Sequence, residues 1–166
     1  MRLLIIGPYP TPGCGVSKYS LEVMNGISEQ VAVDWTRVNF FLDPLKGVID
    51  YLKVIKRMIG GYQLIHLQYT PTTSGPFIGI ILALARGLGL KVIVTAHEKP
   101  EGYQSHFGFL LYALFRSHER LIMRLADSII VHTMDHKCSL IRMHMREASD
   151  DIQVIPHCVA EKKRID

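Results

Sequence analysis

Gly13-Cys14-Gly15 stands directly before the helix-forming run Val16-Ser17-Lys18-Tyr19. A glycine-rich turn at a helix N-terminus turns backbone N–H groups and the positive end of the helix dipole outward, where a phosphate is stabilised. The same glycines would equally serve a plain strand-to-helix turn that needs positive φ. His97-Glu98 closes the apolar run Val92-Ile93-Val94-Thr95-Ala96. An imidazole at that point can donate from one ring nitrogen and accept at the other, which suits sugar hydroxyls and phosphate oxygens. The alternative role for His97 is to cap the following helix. His132-Thr133 and His157-Cys158 close two further apolar runs in the same way.

Other histidines read differently. His66 lies among Leu64, Ile65 and Leu67, where a hydrogen-bonded core histidine is expected. His132 and His136 have the spacing of metal ligands on a helix, but His132 ends a strand and no acidic or cysteine ligand stands in register, so no metal is expected. The dinucleotide fingerprint G-x-G-x-x-G fails because Lys18 occupies the third glycine position, and no G-x-x-x-x-G-K-[ST] occurs. A dehydrogenase and a P-loop nucleotidase are thereby disfavoured.

Arg116, Arg120 and Arg124 form a third group. Steps of four turn a helix about 40° beyond a full circle, so the three guanidinium groups share one stripe. Beside Phe107, Phe109 and Leu110 this stripe resembles a surface that meets an anionic membrane. A solvated face on an ordinary crossover helix is the competing reading.

These groups require a scaffold that gathers strand ends. Leu3 to Ile6, Val31 to Val38, Leu64 to Gln68, Val92 to Thr95, Ile129 to Val131 and Val154 to Pro156 read as six strands. Helical segments lie between them: one after Gly15, 44 to about 58 stopped by Gly60-Gly61, 76 to about 88, 106 to 125, and 134 to about 145. Strands alternating with helices predict a doubly wound, Rossmann-like parallel α/β sheet with helices on both faces. In such sheets ligands bind beyond the carboxyl ends of the strands, which is where the chemistry-bearing residues fall.

Composition sets the remaining bounds. The 166 residues suit one domain, and 48% hydrophobic with 20% charged residues excludes a disordered chain. Three cysteines without a C-x-x-C pair exclude a disulfide scaffold and fit a reducing, cytoplasmic compartment. Phe77 to Leu90 is broken by Arg86 and glycines and falls short of the roughly 20 residues of a membrane-spanning helix. A formal charge of +4 suits anionic partners such as nucleotides or lipid headgroups without choosing among them.

Five short segments, in order, resemble glycosyltransferase family 4 enzymes of the GT-B fold. Leu4-Ile5-Ile6-Gly7-Pro8-Tyr9-Pro10 with Gly13-Cys14-Gly15-Val16-Ser17-Lys18-Tyr19 is similar to that family's opening strand and loop. Leu64 to Tyr69 resembles its third strand, and Val92 to Glu98 the strand that ends in its active-site histidine. Ile129 to Thr133 and Val154 to Val159 resemble the last two strands of the amino-terminal domain. Cys14 and Cys158 depart from the pattern, each standing where the family carries glycine.

The resemblance implies a retaining transfer from a UDP- or GDP-activated sugar to a saccharide or lipid-linked acceptor, with no cofactor and no nucleic-acid partner; the cysteines and the arginine stripe suggest a cytoplasmic, membrane-peripheral location. His97 would contact the donor sugar, and Gly13, Gly15 and Lys18 the donor phosphate. Tyr9, Tyr69, Thr70, Glu98, His132 and Thr133 would line the acceptor side. Residues 1–160 would form the amino-terminal, acceptor-binding domain, one half of a GT-B architecture. Residues 161–166 would begin an interdomain linker or tail. Nothing in the chain matches the family's donor-gripping second domain, so the isolated chain is expected to be inactive until a carboxy-terminal domain or partner subunit completes it. The competing expectation is a non-catalytic α/β subunit that docks at a membrane and presents an acceptor.

Overall fold

Leu4, Ile5 and Ile6 are fully buried, as a strand covered on both faces requires, and they form the centre of β1 (Arg2–Gly7). The computed structural model describes residues 1–7, 15–38, 44–98, 109–143, 145 and 151–156. After β1 come α1 (Gly15–Ile27), β2 (Ala32–Arg37), α2 (Pro44–Ile59), β3 (Leu64–Tyr69), α3 (Pro71–Ser74) and α4 (Ile78–Gly87). The chain continues through β4 (Lys91–Ala96), α5 (Phe109–Leu125), β5 (Ser128–Val131), α6 (Met134–Arg142) and β6 (Ile152–Val154).

The six strands are parallel in the order β2-β1-β3-β4-β5-β6. The sheet runs one way from β1 to β2 and the other way from β3 onward. Right-handed crossovers therefore place α1 on one face and the later helices on the other. The main core lies between the sheet and α2, α4 and α5, built from Leu4, Ile6, Ile65, Leu67, Val92 and Val94 against Val54, Ile78, Leu82 and Ile122. Strand alternation turns Leu3 and Ile5 to the opposite face, the α1 side.

Gly61 (φ 88°) and Gly89 (φ 75°) take the left-handed conformation that ends α2 and α4. Asp127 ties the β4–β5 end together: its carboxylate pairs with Arg86 and accepts the Val92 N–H at 2.8 Å. Two expectations need correction. A four-residue α3 intervenes after β3, opened by Pro71. The last strand sits at Ile152–Val154, two residues earlier than the sequence reading, because Ile129 and Val131 pair with Ile152 and Val154.

Candidate functional site

A chain of hydrogen bonds runs through the carboxyl ends of β3 and β4. Residues two apart on a strand share a face, so His66 and Gln68 point the same way, and Thr95 stands opposite Gln68 in the next strand. His66 is 6% exposed, and burial lowers its pKa from the usual 6.5 to about 4, leaving the ring neutral. Thr95 Oγ1 lies 2.8 Å from His66 Nε2, and the Gln68 amide donates to the same nitrogen at 3.1 Å. The expected hydrogen-bonded core histidine is therefore observed. With its amide nitrogen engaged there, Gln68 presents Oε1 to His97 Nε2 at 2.8 Å. His97 consequently donates from Nε2 to Gln68.

Gly7 makes room for this arrangement. A Cβ on Gly7 would come within 3.0 Å of Gln68 Cβ and 3.3 Å of its Cγ, so any larger residue would push the glutamine away from His97.

Beside His97 lies His132, just past β5. Its Nδ1 donates to the carbonyl of Ile155 at 2.8 Å, which ties the strand end of β5 to the segment after β6. The two imidazoles are 5.0 Å apart, and Tyr19 from α1 meets both edge-on, at 5.4 Å from His97 and 4.8 Å from His132. Such edge-to-face contacts fix ring orientation as well as burying area. Tyr19 thereby fastens the first turns of α1 to the ends of β4 and β5. Gly15 and Lys18 are exposed on the same helix. Gly15 does not take positive φ, and a Cβ added to it would meet nothing within 4 Å among the described residues. Neither backbone conformation nor packing demands glycine there. What the residue leaves is open surface at a helix N-terminus, where an anion is favoured.

The other expected site residues divide. Glu98 is half-buried next to His97, and its negative charge helps to raise the pKa values of Tyr69 and Glu119. Thr133 caps α6, its hydroxyl accepting the His136 N–H at 3.1 Å. Tyr69 and Thr70 are 2% and 3% exposed, Tyr69 within the core and Thr70 at the start of α3. Tyr9 and Gly13 lie outside the described residues.

The arginine stripe on α5 is also split. Arg116 turns inward, its guanidinium 3.9 Å from the buried carboxylate of Glu119, whereas Arg120 and Arg124 are exposed. Arg120 donates to the Met143 carbonyl at 3.3 Å. Burial pushes the Glu119 carboxyl up to about 7 despite Arg116.

Two functional candidates lay beyond the sequence reading. Gln68 could have been found from the polar pair His66 and Gln68 sharing one face of an apolar strand. Tyr19 was visible as the aromatic half of Lys18-Tyr19, but spacing alone gave it a helical core role.

A parallel six-stranded sheet flanked by helices, with titratable groups gathered beyond its carboxyl ends, defines a Rossmann-like α/β domain. The model of Glycosyltransferase Family 4 matches residues 15–163, and the chain belongs to that family. Among solved structures, a crystal structure of HepE from Anabaena in complex with UDP and glucose superposes with a TM-score of 0.56 at 14% identity. The alignment covers 95% of this chain and 44% of the HepE chain, so this chain spans under half the length of that protein. Its fold is that of one half of a GT-B glycosyltransferase. A comparison with curated protein sequences finds no match. Among the described residues no helix is long and apolar enough to cross a membrane.

Proposed function

We propose that this chain is the amino-terminal, acceptor-binding half of a retaining glycosyltransferase that uses a UDP- or GDP-activated sugar. The observation that carries the reading is the fixed orientation of His97. The Thr95–His66–Gln68 chain holds its Nε2, and Tyr19 and His132 hold its ring plane. HepE, which shares the fold, was crystallised with UDP and glucose, which supports a nucleotide-sugar donor here.

In this reading His97 bonds a donor-sugar hydroxyl and positions the sugar over the acceptor. The exposed start of α1, at Gly15 with Lys18 nearby, meets the donor phosphate together with Gly13. Glu98, His132, Thr133 and Tyr9 line the acceptor side, where a saccharide or lipid-linked hydroxyl enters. The acceptor hydroxyl attacks the anomeric carbon from the side of the departing diphosphate, which takes the proton, so configuration is retained. Stabilisation of negative charge on the leaving group dominates the rate, as is usual where charge develops in the transition state. No group at the strand ends is asked to act as a strong base.

The second half of the donor site belongs to a further domain or subunit. Incubating the 166-residue chain with a panel of nucleotide sugars and with saccharide and lipid-linked acceptors should give no transfer, whereas the completed enzyme should transfer. Robust transfer by the chain alone would overturn the half-enzyme reading.

A further inference from the structure

The helix α2 is apolar on two sides. One side, carrying Tyr51, Val54 and Met58, is buried in the core. Leu45, Val48, Ile49, Leu52 and Ile59 are all exposed, Leu45 by 82% and Leu52 by 61%. At 100° per residue these five fall within an arc of about 100° on the outward side of the helix. A single exposed leucine is ordinary, but five apolar residues sharing one outward arc, broken only by the exposed Lys56, mark a surface that meets something apolar.

The flank next to that stripe is cationic and opens into a cleft of about 630 Å³ between α2 and the β2 edge. Its lining includes Arg2, Arg37, Lys46, Lys53, Lys56 and Arg57 against the carboxylate of Asp50. Arg57 donates to the Trp35 carbonyl at 2.6 Å and Arg2 to the Gly60 carbonyl at 2.9 Å; Arg2 also pairs with Asp34 at 3.5 Å and Lys53 with Asp50 at 3.3 Å, so two carboxylates stand against six cations and the cleft stays strongly positive. Thr36, also in the lining, is 5% exposed, and its buried hydroxyl oxygen has no hydrogen-bond partner among the described residues. Concentrated cations around a buried, unsatisfied hydroxyl suit a multiply charged oxyanion such as a phosphate.

We propose that α2 and this cleft form a docking surface for an anionic phospholipid bilayer. The cleft takes phosphate headgroups, and the outward stripe enters the headgroup–acyl boundary. Basic and apolar faces side by side on one helix are the signature of interfacial binding, and neither face alone would choose a bilayer. The membrane-facing side is then α2, not the α5 stripe, in which Arg116 is committed to Glu119. The surface uses none of the residues assigned to sugar transfer, so it stands or falls separately from that reading.

Sedimentation of the 166-residue chain with phosphatidylcholine vesicles, with and without phosphatidylglycerol, tests this. The chain should sediment with the anionic vesicles only and be released at about 1 M salt, where the Debye length is about 3 Å. Replacing Lys53 and Lys56 by glutamine should weaken partition about fivefold per cation removed. The pair Leu45→Gln and Leu52→Gln should weaken it as well, while Arg120→Gln with Arg124→Gln leaves it unchanged. All these side chains are on exposed residues, and circular dichroism verifies that each variant folds. Equal sedimentation on neutral vesicles, or full binding by either α2 double variant, would overturn the proposal. Saturable binding of inorganic phosphate without vesicle sedimentation would also overturn it, by identifying a soluble phosphorylated ligand.

Discussion

Gln68 Oε1 accepts the Nε2 hydrogen of His97 at 2.8 Å, while the nitrogen of the same amide is engaged by His66 3.1 Å away. One buried glutamine thus sets the tautomer of the histidine that faces the ligand side of the sheet. Orienting a side chain through a second, fully buried one removes motion that a loop-borne residue would retain.

Replacing Gln68 by leucine keeps the volume but leaves His66 and His97 without that partner. Stability should fall by about 1–3 kcal/mol, the cost of unsatisfied buried polar groups, measured by urea unfolding. In the completed enzyme turnover should fall more than acceptor KM rises, because a positioning residue acts on His97 and not on acceptor binding. A change in KM alone would assign Gln68 to the acceptor site.

Gly7→Ala places a methyl group 3.0 Å from Gln68 Cβ. Two strands must then separate locally, at about 1–3 kcal/mol, the usual cost of overpacking. The His97 ring resonances in a histidine-selective NMR spectrum should shift with it. Unchanged stability and spectrum would show that β1 and β3 yield easily at this point.

Acid and base act on the core through opposite groups. Burial depresses His66 from 6.5 to about 4, so the stability its neutral form contributes is present above pH 6.5 and is lost as pH falls toward 4. Burial raises Glu119 from 4.5 to about 7, so the stability of its protonated form is present below pH 4.5 and is lost as pH rises toward 7. Between pH 4.5 and 6.5 the two slopes oppose and flatten the wild-type profile. Glu119→Gln should remove one slope, so its stability relative to wild type should improve by roughly 1–3 kcal/mol from pH 4.5 to 7. Urea midpoints across that range test the sign, and a constant difference would mean that Glu119 titrates alike in the folded and unfolded chain.

Much of this was legible from the residues. Largely apolar runs of three to eight residues separated by helical periods suffice for a parallel α/β sheet, since strands buried on both faces need no alternation. The short α3 escaped because four residues carry no periodicity, and β6 was misplaced because Ile155 extends its apolar run past the paired residues. At the site, strand-end position foretold that His97 and His132 lie side by side beyond β4 and β5, but not that Tyr69 and Thr70 are buried. Only the register between β3 and β4 shows that Gln68, His66 and Thr95 meet. Helical spacing placed three arginines on one stripe of α5, but it carried no information on Glu119, which draws Arg116 inward.

The most direct test is the rate of sugar transfer by the completed enzyme carrying His97→Ala, compared with wild type at saturating donor and acceptor. A contact made to the reacting donor sugar is expressed in the transition state, so turnover should drop on the order of 10²-fold with acceptor KM nearly constant. A rate equal to wild type would contradict the assignment of His97 to the donor sugar and leave it as a structural member of the ring cluster with Tyr19 and His132.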